Sequence, residues 1–343
     1  MTVGTDMAKL LADVVDRDIR VMHVCGTHEA IIAKYGIRSV LPSQLKIVMG
    51  PGCPVCITPQ GEIDAACELA ERGCMVAIYG DLLRVPGTKR SLEQVNGNVQ
   101  IVMGAAKAVE IARQNPDKEI VFVSVGFETT VPTVAATLLT NPPKNFSVLV
   151  SHRLVPPVMK WLMDQGGASL DGFILPGHVC AVMGYHGYEA FPMPQVIAGF
   201  EPEDILLSFL MIARQIKSGE IKVENAYPRV VTREGNIKAQ KLMQDVFVPT
   251  DVEWRGFPVI PDSGLKLKPE FEVFDAQKKF DLVYARVTKN SGCICDKVLR
   301  GLADPSDCKL YGKACTPRIP IGPCMVSCEG ACRIWYQYQL NKQ

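Results

Sequence analysis

Eight short apolar runs punctuate the first 200 positions: RVMHVC (20–25), LKIVMG (45–50), CMVAIYG (74–80), VQIVMG (99–104), EIVFVSVG (119–126), FSVLVSH (146–152), GFILPG (172–177) and QVIAGF (195–200). Between them lie segments with apolar residues at helical spacing, such as GEIDAACELAERG and GAAKAVEIARQN. Near-continuous apolar strands separated by helices belong to parallel sheet covered on both faces. The expected fold is therefore α/β: two doubly wound parallel-sheet domains facing a cleft and divided near RQNPDKE (113–119). An eight-stranded barrel is the alternative, set back by irregular connections. From about residue 221 the texture changes to a turn, a helix, a proline- and charge-rich stretch (249–270) and a cysteine-rich tail. That region reads as a helix-and-loop domain held together by a cofactor, giving expected domains 1–115, 116–220 and 221–343.

The 37 basic and 36 acidic residues nearly cancel, so no charge field points to nucleic acid or to a charge-driven partner. No signal-peptide core and no apolar run of membrane-spanning length is found, which leads to the expectation of a soluble cytoplasmic protein without membrane contact. Thirteen cysteines are many for such a location, where they serve as ligands, nucleophiles or buried fillers rather than bridges.

Strand after strand ends in a glycine-containing turn carrying polar or sulfur side chains: HVCGTHE, VMGPGCPVC, IYGDLLRVPG, SVGFETT, LPGHVC and IAGFEPED. Ligand crevices of open α/β sheets lie beyond these carboxyl ends, and glycine there permits close backbone approach. In CGTHE, Cys25 stands at a strand end with Thr27 as a candidate cap. A helix N-terminus there would lower the thiol pKa and favour metal binding or nucleophilic attack, with His28 nearby. A buried strand-end cysteine is the plain alternative. Cys53 and Cys56 form a C-x-x-C beside a βαβ pattern, which reads as a redox dithiol, half of a metal site or a chance pair. Cys67 and Cys74 belong to a packed helix and its edge and read as core. Glu128 of GFETT and His178 of PGHV are candidates for ligand binding or proton transfer, or simply helix caps. GFEPEDIL suggests a helix starting near Pro202.

Seven cysteines crowd into 293–332, where no histidine occurs. Cys295, Cys308, Cys315 and Cys332 make a C-x12-C-x6-C-x16-C array, with Cys293 adding a C-x-C. Four thiolates without paired C-x2-C knuckles favour an iron–sulfur cluster of the [4Fe-4S] type, with structural zinc as competitor. Cys324, Cys328 and Cys332 recur every fourth residue, so spacing alone leaves Cys293, Cys324 and Cys328 open as ligands.

CGTHE, GPGCPVC, GFETT, PGHV, GFEPEDIL, ENAYPRVVTREGN and CKLYGKACTP…GPCMVSCEGAC, in this order, resemble the HypD family of [NiFe]-hydrogenase maturation proteins over nearly the whole chain. One departure is Cys328, where the family pattern commonly has serine. The resemblance implies a metallocofactor assembly scaffold with redox activity rather than a conventional turnover enzyme. It implies that an Fe(CN)2CO centre is built on Cys25, shared with a cysteine of a HypC-type chaperone, with His28 close by. A HypE-type protein would donate cyanide, and the hydrogenase large subunit would receive the product. Cys53 and Cys56 would be the redox dithiol, and Cys295, Cys308, Cys315 and Cys332 the [4Fe-4S] ligands; Glu128 joins Cys25 and His28 as a candidate cofactor-binding residue on the reading of its own turn. An iron–sulfur-dependent thiol-disulfide oxidoreductase acting on a protein substrate is the competing reading, and a zinc-stabilised binding protein the plainer one.

Overall fold

The computed structural model describes residues 3–165, 169–284 and 292–339. All eight expected strands form, at Ile19–His23 (β1), Leu45–Met49 (β2), Met75–Ile78 (β3), Asn98–Ile101 (β4), Ile120–Gly126 (β5), Phe146–His152 (β6), Gly172–Pro176 (β7) and Gln195–Ala198 (β8). A short ninth, Val223–Asn225 (β9), follows. They make two parallel sheets, in the orders β2-β1-β7-β8-β9 and β4-β3-β5-β6.

The sheets do not divide near 113–119, as the sequence suggested. The chain leaves the first sheet after β2, builds the whole second sheet from β3 to β6, and returns with β7. Val21–His23 then pair with Gly172–Ile174. Apolar periodicity marks a strand but carries no information about its hydrogen-bond partner, so the insertion could not be read from it. Each sheet reverses its direction of growth once, between β1 and β7 in the first and between β3 and β5 in the second. Those are the topological switch points where α/β sheets open a crevice.

The strands are apolar throughout because both sheet faces are covered. Met22, Phe173 and Leu175 of the first sheet and Val76, Val121 and Val123 of the second belong to one shared core. That core includes Gln60–Glu71 (α3) and Val155–Gln165 (α6). Val21, Ile47 and Ile174, one residue out of phase, face the opposite side with Val3–Val14 (α1), Gly26–Lys34 (α2) and Pro202–Ser218 (α8). Ala105–Gln114 (α4) and Val131–Leu139 (α5) cover the outer face of the second sheet. Gly177–Met183 (α7) follows β7 directly.

The region after 221 is less separate than expected. β9 completes the first sheet, and Ile237–Val246 (α9) packs on α5 and α7. The 249–270 stretch is largely an antiparallel hairpin, Phe247–Glu253 (β10) and Val259–Leu267 (β11), laid against α6 and β6. Among the described residues Ala276–Lys279 (α10), Cys295–Leu299 (α11) and Ala331–Gln339 (α12) are its remaining α-helices. No helix among the described residues is long and apolar enough to cross a membrane.

Arg153, one residue past β6, binds these pieces together. It is only 1% exposed and donates to Glu62 Oε1 of α3 at 2.6 Å and to the Glu253 carbonyl of β10 at 2.9 Å. Arg153→Met leaves Glu62 unpaired in the interior, and breaking such a buried pair costs about 3–5 kcal/mol. The expected outcome is a lower urea midpoint with an unchanged slope; a loss below about 1 kcal/mol, in the range of exposed pairs, would show that Glu62 is solvated.

Candidate functional site

Cys25 lies just beyond β1, at the switch point, and is itself the N-cap of α2; Thr27 is inside the helix. Two glycines let the chain close around it. The Gly26 N–H donates to the Gly52 carbonyl at 3.1 Å. A Cβ on Gly52 would stand 2.3 Å from the Cys25 nitrogen, and one on Gly26 would stand 2.5 Å from Glu329 Cβ. The GPGCPVC loop and the C-terminal tail therefore both abut the CGTHE turn, one on each glycine.

The Cys25 thiol departs from the expected low pKa. Burial pushes it up to about 11, outweighing the His28 and Thr27 N–H groups that favour the thiolate, while the Glu329 charge raises it further. A helix N-terminus stabilises a thiolate only as far as its donors offset lost hydration. As folded here Cys25 is a protonated thiol that would release its proton on binding a metal.

His28 is fully buried, and among the described residues neither ring nitrogen has a partner in good hydrogen-bond geometry, although the Ala198 and Gly199 backbone lies against it. Burial, with His23 and His178 adding to it, lowers its pKa to about 3, so it is neutral. Its ring lies 5.1 Å from Phe200, which stacks on His178 at 3.8 Å. CGTHE, GFEPED and PGHV thus meet through one phenyl ring. The next residue, Glu29, is a buried hub that joins His23 (2.8 Å), Arg38 (2.8 Å) and the Trp335 indole of α12. Arg38 and His23 hold its carboxyl well below the usual range despite its burial.

Cys53 and Cys56 form a disulfide, with Cα atoms 5.3 Å apart and no exposed surface. Glu128 caps a helix, but α6 rather than the one that follows it: its Oε1 accepts from Val155 N–H at 2.8 Å, while Oε2 has no partner among the described residues. Burial pushes its pKa up to about 7. Sequence reading passed over Cys180 and Tyr188. Cys180 is fully buried on α7, within electrostatic reach of Glu128 and Cys25, and Tyr188 is within reach of Cys180 and Glu128. Its place directly after PGHV was the available signal.

In the tail, Cys293, Cys295, Cys308, Cys315 and Cys332 line one small hollow with Leu310, Tyr311, Gly322 and Met325. The four expected ligands are thus brought together and a fifth joins them. Contacts with Cys293, Cys324 and Cys332 draw Cys295 well below the ordinary cysteine pKa, and the Cys293–Cys295 sulfurs are 3.1 Å apart. A Cβ on Gly322 would meet those two sulfurs at 2.6 and 2.9 Å. Cys328 stands apart, exposed beside Asp81. Among the described residues no three His, Cys, Asp or Glu side chains have the geometry of a single-ion site. The hollow is a sulfur-only cradle closed by a glycine, a donor set that suits an iron–sulfur cluster. Cys67 and Cys74 are core, as expected.

Comparison with known proteins gives a consistent result. A family model described as "HypD: Hydrogenase formation hypA family" matches residues 3–339. A hydrogenase expression/formation protein of Methanocaldococcus jannaschii is 48% identical over 344 residues, covering 97% of this chain and 96% of that protein. The hydrogenase maturation factor HypD of Cupriavidus necator is 42% identical over 336 residues, covering 92% and 89%. That of Escherichia coli K12 is 39% identical over 346 residues, covering 97% and 93%.

Two outcomes follow from the geometry. Gly52→Ala forces backbone apart at Cys25, so Cys25 should react faster with a maleimide at neutral pH; an unchanged rate would show that the loop gives way without opening the site. Because His28 is neutral when folded but takes up a proton when unfolded, stability should fall as pH drops from about 6.5 towards 3. Glu29, depressed when folded, adds a further loss below about 4.5. His152, likewise lowered to about 3 by burial, acts in the same sense, while Glu128, raised to about 7, opposes both down to about pH 4.5; urea midpoints should therefore fall most steeply below about pH 4.5, and the decline should be shallower in His28→Phe.

Proposed function

This chain belongs to the HypD family, and on that premise we propose that it is the scaffold on which an Fe(CN)2CO centre is assembled for a [NiFe]-hydrogenase. Iron is the cargo, and Cys25 is its anchor on this chain. A HypC-type chaperone would contribute a second thiolate, a HypE-type protein would donate the cyanide, and the hydrogenase large subunit would receive the centre. The observation that carries this reading is the packing of Gly52 and Glu329 on the CGTHE turn, which sets the disulfide loop and the cysteine-rich tail on either side of one buried thiol.

Each residue has a physical task. Cys25 gives up its proton and binds iron as a thiolate, a soft anchor suited to a centre with strong-field ligands. His28 is neutral, lies in the helix that Cys25 caps, and could hydrogen-bond or ligate without adding charge. Phe200 and the Gly50–Gly52 loop exclude water, which strengthens every interaction inside. The Cys53–Cys56 disulfide takes up two electrons and two protons to become a dithiol, or returns them. A [4Fe-4S] cluster on Cys295, Cys308, Cys315 and Cys332, with Cys293 as the neighbouring thiol, would supply single electrons when bound. Glu128, with a pKa near 7 and one oxygen unpartnered, can hold or release a proton at Oε2 in the same interior. The thiol-disulfide oxidoreductase reading is disfavoured by the complete burial of Cys53 and Cys56, which a protein substrate could not reach without opening the loop.

Infrared spectroscopy of anaerobically purified protein with its small partner tests the assignment. The complex is expected to show cyanide and carbonyl bands, and Cys25→Ala to lose them while keeping the broad absorption at about 400 nm expected of a cluster. Retention of the bands in that variant would remove Cys25 as the anchor.

A further inference from the structure

The tail meets the CGTHE helix at two points. Glu329 packs on Gly26, where a Cβ would stand 2.5 Å from Glu329 Cβ, and the Thr27 hydroxyl donates to Glu329 Oε1 at 3.4 Å. Further along α2, Glu29 accepts at Oε1 from the Trp335 indole N–H of α12. Arg38 closes this contact. Its Nη2 donates to Glu29 Oε2 at 2.8 Å, and its Cζ stands 5.3 Å from the centre of the Trp335 ring. His23 Nε2 meets Glu29 Oε2 from β1, also at 2.8 Å. The buried carboxylate is thus satisfied from two sides, by β1 and Arg38 on one oxygen and by α12 on the other.

α12 starts in the thiol hollow. Cys332, its second residue, lines that hollow, and Trp335 follows three positions later on the same side of the helix. Tyr336 packs edge-on against Tyr311, another lining residue, with ring centres 6.4 Å apart. The chain that supplies the other sulfurs has little regular structure of its own. Among the described residues, the helical elements between Cys293 and α12 are the five-residue α11 and single 3-10 turns at Pro305–Asp307 and Pro323–Met325. A segment of this kind is held by what its side chains bind. A group bonded to several of these thiols at once would fix Cys332, and with it the first turn of α12.

We propose that Trp335 is a positioning residue that carries the state of the thiol hollow to Cys25: with the hollow occupied, α12 is fixed and its indole holds Glu29, and through it the first turn of α2, in place. This rests on the reading that the tail thiols bind a [4Fe-4S] cluster. With the hollow empty, α12 loosens and Glu29 loses a donor while it stays buried. The helix whose N-cap is Cys25 then opens more often. The anchor thiol is guarded in a loaded chain and open to reagents in an empty one. Such coupling is reciprocal, so weakening the indole–carboxylate bond also loosens the cluster.

The test is the rate at which N-ethylmaleimide labels Cys25 in the full chain, read by mass spectrometry of the Cys25 peptide. It is measured with the cluster loaded and after its anaerobic removal by an iron chelator. In the parent protein, removal is expected to speed labelling about tenfold, within the range usual for coupled sites. Trp335→Phe keeps an aromatic ring without the donor; its loaded form should already label at the fast rate, and removal should add little. Trp335→His has its Nε2–H at the ring position of the indole N–H and should restore most of the parent ratio. Arg84→Met cuts a different tether of the tail, the Arg84 bonds to the Pro317 and Arg318 carbonyls, and should behave as the parent. An unchanged rate on removing the cluster from the parent overturns the proposal. So does a parent-like ratio in Trp335→Phe, a Trp335→His that behaves as Trp335→Phe, or decoupling by Arg84→Met. If Trp335→Phe purifies without a cluster, the proposal stands when Trp335→His loads one with the parent ratio and falls when it does not. A colourless parent would defeat the cluster reading and this inference with it, whereas a loaded parent whose Cys25 is indifferent to the cluster defeats the inference alone.

Discussion

Parallel pairing of Val21–His23 with Gly172–Ile174 ties together strands about 150 residues apart and creates the first sheet's switch point. Everything at the candidate site depends on it. Cys25 continues from one of these strands, and His178 and Cys180 from the other. Because the second sheet is threaded between them, its own turn residues, Asp81 and Glu128, are carried to the same side. Asp81 accepts from Ser327 of the tail at 2.8 Å, and Glu128 acts electrostatically on Cys180. The two switch points are thus joined into one sulfur-rich interior by topology rather than by any single motif.

Within that interior, burial sorts the titratable groups into two kinds. Cys25, His28 and Glu128 have too few partners to offset lost hydration and are held towards their neutral forms. Glu29 is charged because it has paired neighbours in His23, Arg38 and Trp335. The Glu29 carboxylate thereby holds elements together: it follows His28 in sequence and anchors α12, whose second residue is Cys332.

Much of this was legible beforehand. The eight strands, the glycine turns at their ends, the helix at Pro202 and the gathering of Cys295, Cys308, Cys315 and Cys332 all emerge from local patterns. The partners of Cys25 did not. Nothing in CGTHE announces that Gly52 and Glu329 would press on it, nor that burial would outweigh the helix terminus and raise its pKa. The hairpin at 247–267 read as a proline- and charge-rich stretch because its buried apolar residues, such as Phe247, Trp254, Ile260 and Leu267, are interleaved with exposed prolines and charges. Cys180 was overlooked because one cysteine inside an apolar helix looks like filling.

By itself the sequence determined the element types, the family and the residues with chemical capacity, because those follow from periodicity and from side-chain type, which are local properties. Only the tertiary structure decided which strands are neighbours, which thiols share a hollow, and which groups are charged. Hydrogen-bond partners and desolvation are set by atoms far away along the chain, and no reading of neighbours in sequence contains them.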